Sequence, residues 1–340
     1  MDPGLPLKLL TGRSGECLIN ALERHEIDYR FLHRNEITAP EYSNLAFITF
    51  AINGTKYCSN GTAFFRTDGT TYPGASVDGM MGRLLKSKPL TNAVLRHHGF
   101  SVPEGVAVAN DEALRARIFF ETMGPFWNLG ACLKPADGRL GQDVYVGIRE
   151  THAFQQAFDA IAKRNKLMLL EESVAGSVYR FFCIAGRVVA IRIGEPPSVI
   201  GDGVSTIAHI FAINGRSRTK LADNEVHFIA QQGLSPESIP QKGELVRISA
   251  ASNVAQGAVS VDVTDDVDAY YIELVERATL CFPGLTICGV DVAMTDSARA
   301  SSYHFIEINT APWTEGHHFP SKGKPRDVAG AILKHLASLD

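Results

Sequence analysis

Two short stretches decide how this sequence is interpreted: GVDVAM at residues 289–294 and FIEIN at residues 305–309. Both are apolar runs of strand length, and each carries one acidic residue, Asp291 in the first and Glu307 in the second. Glu307 and Asn309 are two positions apart, so on a strand they share one face. Apolar strands seldom contain acids unless the acids are paired or bind a metal. Because Mg²⁺ prefers hard oxygen ligands, these three side chains are predicted magnesium ligands; the alternative is an acid pair hydrogen-bonded within a sheet.

The stretch LKPADGRLGQDVYVGI, at residues 133–148, predicts a strand, a glycine-containing turn and a second strand. Glycines such as Gly138 and Gly141 let backbone N–H groups approach an anion, and Lys134 adds a positive charge for phosphate. This is not a Walker A loop, because no Gly-Lys-Ser or Gly-Lys-Thr opens a helix. We expect Lys134 at the mouth of the loop, where it contributes little to stability. The alternative is a plain β-hairpin with a surface lysine.

A third stretch, LMLLEESVAG at residues 167–176, ends an apolar strand in Glu171 and Glu172. An adenine ring needs apolar walls and a few polar partners at its edge, so this segment is a candidate hinge against adenine. The alternative is a buried strand that emerges into solvent through two acids. Strands farther along carry Arg180, Arg192 and Arg247, and arginine binds carboxylate or phosphate in a bidentate manner. Each arginine alone is typical of a surface position, and Arg180 is the most suggestive because it follows the hinge.

The composition of the 340 residues, with a net charge of −4, gives no excess of positive charge for nucleic acid or an anionic membrane. No apolar run is long enough to span a bilayer, and the N-terminus lacks the plan of a signal peptide, so a cytoplasmic location is expected. The six cysteines form no CxxC pair and no zinc-finger spacing, which favours scattered buried thiols.

The order of helical and strand-like segments predicts an α+β protein in three parts. A short N-terminal lobe covers residues 1–84, a second unit 85–175, and a third, mostly antiparallel, unit 176–340. Helices are predicted at Gly15–His25, Thr91–His98, Thr151–Lys163, Ser205–Asn214, Asp268–Cys281 and Asp327–Leu339. Strands in the first lobe are predicted at Tyr29–Leu32, Leu45–Ile52 and Thr62–Arg66, with an Asn-Gly turn at residue 53.

In this order, the lysine–glycine loop, the acidic hinge and the Asp…Glu-x-Asn set resemble the ATP-grasp ligases. The greatest likeness is to the ATP-grasp module of cyanophycin synthetase and of bifunctional glutathione synthetase, from about residue 85 to the end. The stretches that carry it are SKPLTNAVLRHHGFSVPEGV, KPADGRLGQDV, LEESVAGSVYRFFCIAGRVVAI, VIGDGVSTI, SNVAQGAVSVDVTDDV, GVDVAM and FIEINTAPWTEGHHFPSKGKPRDVAGAIL. The resemblance implies the ATP-grasp fold, in which two α+β subdomains clamp ATP.

The resemblance also implies roles for individual residues. Binding of ATP falls to Lys88, Lys134, Gly138, Arg139, Leu140, Gly141, Glu171, Glu172, Ser173 and Val174. Two Mg²⁺ ions, for which Mn²⁺ can substitute, are held by Asp291, Glu307 and Asn309, with Glu307 bridging. The residues expected in the active centre are Arg180, Arg247, Asn253 and Gly257. Those expected to contact substrate are His318 and Ser321.

The sequence departs from the family pattern at several positions. Val178 stands where an acid commonly binds the ribose hydroxyls, and Glu172 is the candidate substitute. Gly194 stands where relatives often have arginine, so Arg192 or another cation is expected to serve instead. Asn92 replaces a frequent lysine, and Gln256-Gly257 replaces Gly-Gly.

The reaction implied by the resemblance is amide bond formation from a carboxylate and an amine, with an acyl phosphate as intermediate and ADP and phosphate as products. The partners expected are ATP and an amino acid or other small carboxylate and amine, with a homodimer left open. The N-terminal lobe matches no family known to us, and without the fused partner domain of the large relatives a stand-alone ligase is expected. The alternatives are an ATP-grasp kinase, a ligase that joins carboxylate to thiol or hydroxyl, and a non-catalytic nucleotide-binding module.

Overall fold

A computed structural model describes residues 7–38, 46–138, 142–214, 219–249 and 259–339. The chain begins with helix α1 (Leu7–Arg24), followed by an antiparallel sheet in the order β1-β2-β3-β4-β5. These strands are β1 (Tyr29–Phe31), β2 (Ile48–Ile52), β3 (Thr55–Ser59), β4 (Phe64–Arg66) and β5 (Ala75–Ser76). The predicted Asn-Gly turn joins β2 to β3, and both Asn53 and Gly54 have positive φ, as a tight hairpin requires.

The second part of the chain forms a sheet in the order β6-β9-β7-β8 with helices packed on it. Its strands are β6 (Gly105–Ala109), β7 (Ala131–Pro135), β8 (Tyr145–Ile148) and β9 (Leu167–Glu172). The helices of this region are α2 (Met81–Leu84), α3 (Lys88–His97), α4 (Ala113–Met123) and α5 (Thr151–Ala162). Stacked Phe120 and Phe154 join α4 to α5 in a core that includes Leu133 and Leu170 from the sheet.

The third part is built on a sheet in the order β14-β11-β10-β15-β16, in which all neighbours are antiparallel. Its strands are β10 (Ser177–Ile184), β11 (Arg187–Glu195), β14 (Val259–Asp262), β15 (Ile287–Met294) and β16 (Tyr303–Thr310). A small sheet of β12 (Ser198–Ile200) and β13 (Leu245–Arg247) lies beside α6 (Ile207–Asn214) and α7 (Asp223–Gln231). The remaining helices are α8 (Ala269–Thr279), α9 (Glu315–His318) and α10 (Val328–Ala337).

The predicted helices and the predicted strands quoted above are present, and their ends move by up to three residues, except that α1 begins at Leu7 and not at the predicted Gly15. The elements that were not predicted are β3, β5, β12, β14, α2, α4, α7 and α9. Among the described residues, no helix combines the length and the apolar character needed to cross a membrane.

The two faces of the third sheet bury different side chains, because neighbours along a strand point to opposite sides. Phe181 and Ile191 belong to a core with α8, whereas Phe182 and Ala190 belong to a core with α1 and α10. In that second core Leu22 of α1 is fully buried. The first lobe, with a boundary proposed at residue 84, therefore shares its core with the last helix of the chain.

Candidate active site

A cavity of about 430 Å³ is lined by residues of the β6-β9-β7-β8 sheet and of the β14-β11-β10-β15-β16 sheet. This volume is within the range of small-molecule sites, which commonly form between such units. The predicted residues that line the cavity are Lys88, Lys134, Gly138, Glu171, Glu172, Ser173, Val174, Arg180, Asp291 and Glu307.

The chain passes between the two sheets at Gly176, directly after the hinge. Its φ is +100°, and a Cβ there would lie 2.2 Å from the carbonyl oxygen of Met294. Only glycine fits this close approach, so Gly176 fixes where β9 ends and β10 begins. The hinge and the metal strand β15 are thereby held next to each other.

Lys134 is almost fully buried, which corrects the expectation of a lysine at a loop mouth. Its ammonium group forms an ion pair with Glu171, and the two side chains are 6% and 3% exposed. Cys132 pairs with Glu171 across β7 and β9, so Lys134 is a diagonal neighbour of Glu171 on the same face. Burial lowers the pKa of Lys134, but the attraction of Glu171 outweighs it, and the pKa lies above its ordinary value. Lys134 is therefore a charged group at the wall of the cavity.

Lys88 connects the glycine turn to the predicted metal site from the first turn of α3. Its Nζ donates a 2.7 Å hydrogen bond to the carbonyl oxygen of Gly138 and lies 3.2 Å from Oε2 of Glu307. Burial raises the pKa of Glu307, but the attraction of Lys88 and a hydrogen bond from Asn309 outweigh it, so the pKa is lowered. Glu307 is thus an ionised carboxylate that faces the cavity.

Five charged residues form one row across all strands of the third sheet. Direct register partners run from Asp262 on β14 to Arg192 on β11, Arg180 on β10, Asp291 on β15 and Glu307 on β16. Directly opposed residues share a face of the sheet, so the row is a ladder of charges in the order −, +, +, −, −. All of its members except Asp262 line the cavity.

Arg180 neutralises Asp291 in a bidentate pair, with Nη2 at 2.7 Å from Oδ2 and Nε bound to Oδ1. Burial alone lowers the pKa of Arg180, but Asp291 more than reverses this, and the pKa is raised. Gly289 makes room for the arginine, because a Cβ there would lie 2.9 Å from Cδ of Arg180. Gly289 therefore leaves the space for Arg180, and Asp291, two positions farther along the strand, binds it.

The donor set of Asp291, Glu307 and Asn309 is chemically suited to Mg²⁺, since it offers two carboxylates and an amide oxygen. Asp291 and Glu307 are directly opposite each other, and like charges in that position repel unless cations lie nearby. At present Arg180 and Lys88 neutralise them, while Nδ2 of Asn309 donates a 2.6 Å hydrogen bond to Glu307. Within the described ranges no three His, Cys, Asp or Glu side chains form a metal cluster. A metal at this position would have to exchange with the two cations.

The other end of the cavity is mostly apolar. Val178 and Ala293, which are register partners on β10 and β15, line it together with Ile306. Ile306 is the additional residue of a β-bulge in β16, because Glu307 pairs with Asp291 and Phe305 with Val292. Bulges commonly redirect side chains beside active sites.

Helix α7 covers this part of the cavity from the side of β8. Nδ2 of Asn224 donates a 3.3 Å hydrogen bond to the carbonyl oxygen of Val144, and both Asn224 and Phe228 line the cavity. At the hinge, the Ser173 amide donates to Gly130 and Oε1 of Glu172 accepts from the Glu104 amide. The hinge is therefore fixed to β6 and β7 and forms a rigid edge.

Several predicted residues do not line the cavity in the described parts. Arg247 is exposed on β13, and Ser321 donates its backbone N–H to Ser260. Nε2 of His318 accepts a 3.1 Å hydrogen bond from the backbone N–H of Ala329, so this ring supports the start of α10. The role of Arg247 in the active centre and the substrate contacts of His318 and Ser321 remain predictions. The predicted residues outside the described ranges are Arg139, Leu140, Gly141, Asn253 and Gly257.

Sequence reasoning missed most of the apolar wall of the cavity. It comprises Leu129, Val144, Val146, Phe228, Ala293 and Ile306. Apolar residues of this kind are common in any core, so no local pattern distinguishes them. Sequence reasoning treated Arg192 only as one of several cations. Arg192 and Gly194 are two positions apart on one strand and therefore share a face, so the sequence did indicate that Arg192 could replace an arginine at position 194.

The sequence of this chain is similar to those of known enzymes. No family model matches the chain. The "Glutathione biosynthesis bifunctional protein GshAB" of Pasteurella multocida is 29% identical over 274 residues, which cover 74% of this chain and 35% of that protein. Cyanophycin synthetase of Synechocystis sp. is 29% identical over 280 residues, which cover 77% of this chain and 31% of that protein. The chain is a homologue of these enzymes. It spans about a third of the length of the curated relatives that it matches.

One solved structure is similar to this chain in its fold. The crystal structure of a bifunctional glutathione synthetase from Pasteurella multocida matches with a TM-score of 0.58 and 23% identity. The match covers 97% of this chain and 44% of that one, so it includes the N-terminal lobe. The ATP-grasp fold and the likeness to these two kinds of synthetase, both expected from the sequence, are confirmed.

Proposed function

We propose that this chain is an ATP-dependent, ADP-forming ligase that joins a carboxylate to an amine through an acyl phosphate. The observation that carries the proposal is the cavity between the two sheets, in which three cation–carboxylate pairs meet an apolar end. The similarity to glutathione biosynthesis bifunctional protein GshAB, which covers 74% of the chain, supports the proposal. An adenine would occupy the apolar end beside the hinge, with its phosphates toward Lys88 and Lys134.

The three ion pairs support a mechanism of partner exchange. Without nucleotide, Lys88, Lys134 and Arg180 are each bound to a carboxylate of the chain itself. A triphosphate with its metal brings both signs of charge. Lys88 and Lys134 can then turn to phosphate oxygens and Arg180 to the acyl carboxylate, which would leave Glu307 and Asp291 free for the metal. Bound Mg²⁺ would supply neutralisation of the charge that develops at the β- and γ-phosphates. Each of the three cations is already held in place by its carboxylate, so the groups proposed to bind the nucleotide are oriented in advance.

The residues of the chain would then hold the reactants in line. Arg180 lies beside Asp291, so its guanidinium is positioned to stabilise negative charge on the carboxylate that is activated. Lys88 would fix the phosphate end through its position between the glycine turn and Glu307. The walls from β7, β9 and α7 would limit the access of water, which would protect a reactive acyl phosphate from hydrolysis. The amine can then displace phosphate without a covalent enzyme intermediate.

The proposal is tested by ADP release screened over pairs of amino acids, followed by mass spectrometry of any product. We expect at least one pair to yield a product that has lost one water relative to its two components. The Glu307→Gln variant should lose turnover, whereas the exposed α8 control Glu273→Gln should retain it. ADP release without an amide product would instead support a kinase, and Glu307→Gln turnover at the wild-type rate would contradict the proposed site.

A further inference from the structure

Arg192 lines the cavity next to Arg180, and in the row of charges it is the cavity-lining member farthest from Glu307. Its side chain passes beneath helix α9, where Gly316 provides the space. A Cβ on Gly316 would lie 3.1 Å from Nε and 3.2 Å from Cδ of Arg192. The absence of a side chain at this position therefore lets the arginine reach the cavity.

The acids nearest to Arg192 along the row already bind other cations. Asp262 accepts hydrogen bonds from Arg326, including one of 2.9 Å, and from Thr264. Asp291 binds Arg180 through both of its oxygens. Throughout the described residues, no carboxylate lies within ion-pair distance of Arg192, and its buried Nε has no hydrogen-bond partner. Arg192 therefore differs from Lys88, Lys134 and Arg180, each of which is paired.

The attraction of Asp291 and Glu315 offsets the cost of the buried Arg192 charge only in part. Burial and the neighbouring Arg180 lower the pKa of Arg192 to about 10, so the group is still a cation at neutral pH. His317 on α9 is 1% exposed, and neither ring nitrogen has a hydrogen-bond partner in the described structure. Burial and the two arginines keep the pKa of His317 well below its ordinary value, so the ring is neutral. An unpaired cation in such a place is costly unless a ligand supplies the anion.

We propose that Arg192 binds a second carboxylate of the substrate, one that is not consumed in the reaction. The proposal rests on the proposed function and names the substrate class of the same site. Neighbouring strands are about 4.8 Å apart, so a carboxylate at Arg192 lies roughly one strand from the group activated beside Arg180. A fork of N–H donors suits the planar carboxylate. The second carboxylate comes either from a dicarboxylic acyl donor or from an amino acid that supplies the amine.

The test measures melting temperature with and without Mg²⁺ and a non-hydrolysable ATP analogue. One arm compares dicarboxylates with their monoamides, and the other compares amino acids with their carboxamides. The variants are Arg192→Met and the matched control Arg187→Met, which removes an arginine from the exposed end of the same strand. We expect the carboxylate member of at least one pair to stabilise the wild type and Arg187→Met, but not Arg192→Met. The series in which the melting temperature rises shows whether the acyl donor or the amine substrate carries the second carboxylate.

The free protein gives a second readout. Without ligand, Arg192→Met should melt at or above the wild-type temperature, because it removes an unpaired charge. A structural arginine would instead lower the melting temperature when removed. An equal carboxylate response in Arg192→Met and the wild type, or no response of the wild type in either arm, overturns the inference. If the nucleotide analogue stabilises the protein in that case, only the inference fails. If the analogue does not stabilise the protein, the proposed function fails, and the inference that rests on it fails as well.

Discussion

Among single residues, Lys134 and Glu171 have the least access to solvent of the charged groups around the cavity. A buried ion pair contributes little net stability compared with an apolar pair, but removal of one partner leaves an uncompensated charge. The pair therefore couples the stability of the free protein to the residues proposed to bind nucleotide. Replacement of Lys134 is therefore expected to change both the stability of the free protein and the binding of nucleotide.

We predict that Lys134→Met lowers the free energy of unfolding by about 3–5 kcal/mol, because Glu171 remains buried without its partner. The additional change Glu171→Leu should restore much of this stability while nucleotide binding stays weak. Urea denaturation of the two single variants and the double variant measures the coupling. The exposed Lys163→Met serves as the control, and a stability of Lys134→Met equal to that of the control would contradict the buried pair.

His317 gives a prediction for the acid side of neutral pH. Its pKa in the folded protein is lowered well below 6.5, first by burial and then by Arg192 and Arg180, whereas the unfolded chain has the ordinary value. Below pH 6.5 the unfolded state binds the proton and the folded state does not, so stability falls as pH falls, by up to about 1.4 kcal/mol per pH unit. Above that pH the stabilising contribution is fully present.

His317→Gln should therefore lose less stability than the wild type between pH 7.5 and pH 5.5, as measured by urea denaturation at both values. The exposed His209→Gln is the matched control and should follow the wild type. A parallel fall in stability for the wild type and His317→Gln would show that another group accounts for the pH dependence.

At the scale of elements, strand β15 provides both a ligand and the space for its partner. Gly289 lies opposite Phe182 and Asn309, and the Arg180 side chain extends over it toward the cavity. A side chain at position 289 would occupy the space that the arginine uses, since Gly289 and Asp291 share one face of β15. The register of β10 against β15 is thus linked to the position of the guanidinium.

Gly289→Ala should displace Arg180, because the new Cβ would lie 2.9 Å from Cδ and 3.1 Å from Nη1 of that residue. We expect the ligation rate to fall on the order of 10²-fold, since a misplacement of about 1 Å in an active site has effects of that size. Gly82→Ala is the control, because its Cβ meets atoms only at 3.9 Å. Normal kinetics of Gly289→Ala would remove Arg180 from the reaction.

The elements also show what the sequence could and could not predict. The strands that carry Asp291 and Glu307 were predictable, because acids within short apolar runs are rare. Helix α7 was not, because its segment DNEVHFIAQ is largely polar and is held by contacts with β8 that are remote in sequence. The bulge that directs Ile306 into the cavity depends on pairing between two strands, so no local pattern indicates it. For the same reason the burial of Lys134 could not be seen from its neighbours in the chain.

At the scale of the whole molecule, the first and the last helix of the chain share one hydrophobic core. Helix α1 packs against α10 and against Phe182 and Ala190 on one face of the third sheet. That face is also the one that carries Arg180 and Arg192 farther along the same strands. The N-terminal lobe therefore supports the sheet that holds the site, although it contributes no residue to the cavity lining among those described.

Leu22→Ala in α1 should lower the free energy of unfolding by about 2–5 kcal/mol, as for other fully buried leucines. Because the core is shared, amide hydrogen exchange should accelerate in α10 as well as in the first sheet. The control Leu114→Ala removes a leucine that is 72% exposed and should change stability by less than about 0.5 kcal/mol. Protection of α10 that is unchanged in Leu22→Ala would show that the first lobe unfolds independently.

The central claim, that a carboxylate is activated at the γ-phosphate, is tested most directly by the fate of one oxygen. The acyl donor identified in the amino acid screen is prepared with heavy oxygen in its carboxylate, and the products of a complete reaction are analysed by mass spectrometry. Lysines and carboxylates at the phosphate end of the cavity favour attack on the γ-phosphorus, so the label is expected in inorganic phosphate beside ADP. Label in AMP, with release of pyrophosphate, would contradict the acyl phosphate and the residue roles that depend on it.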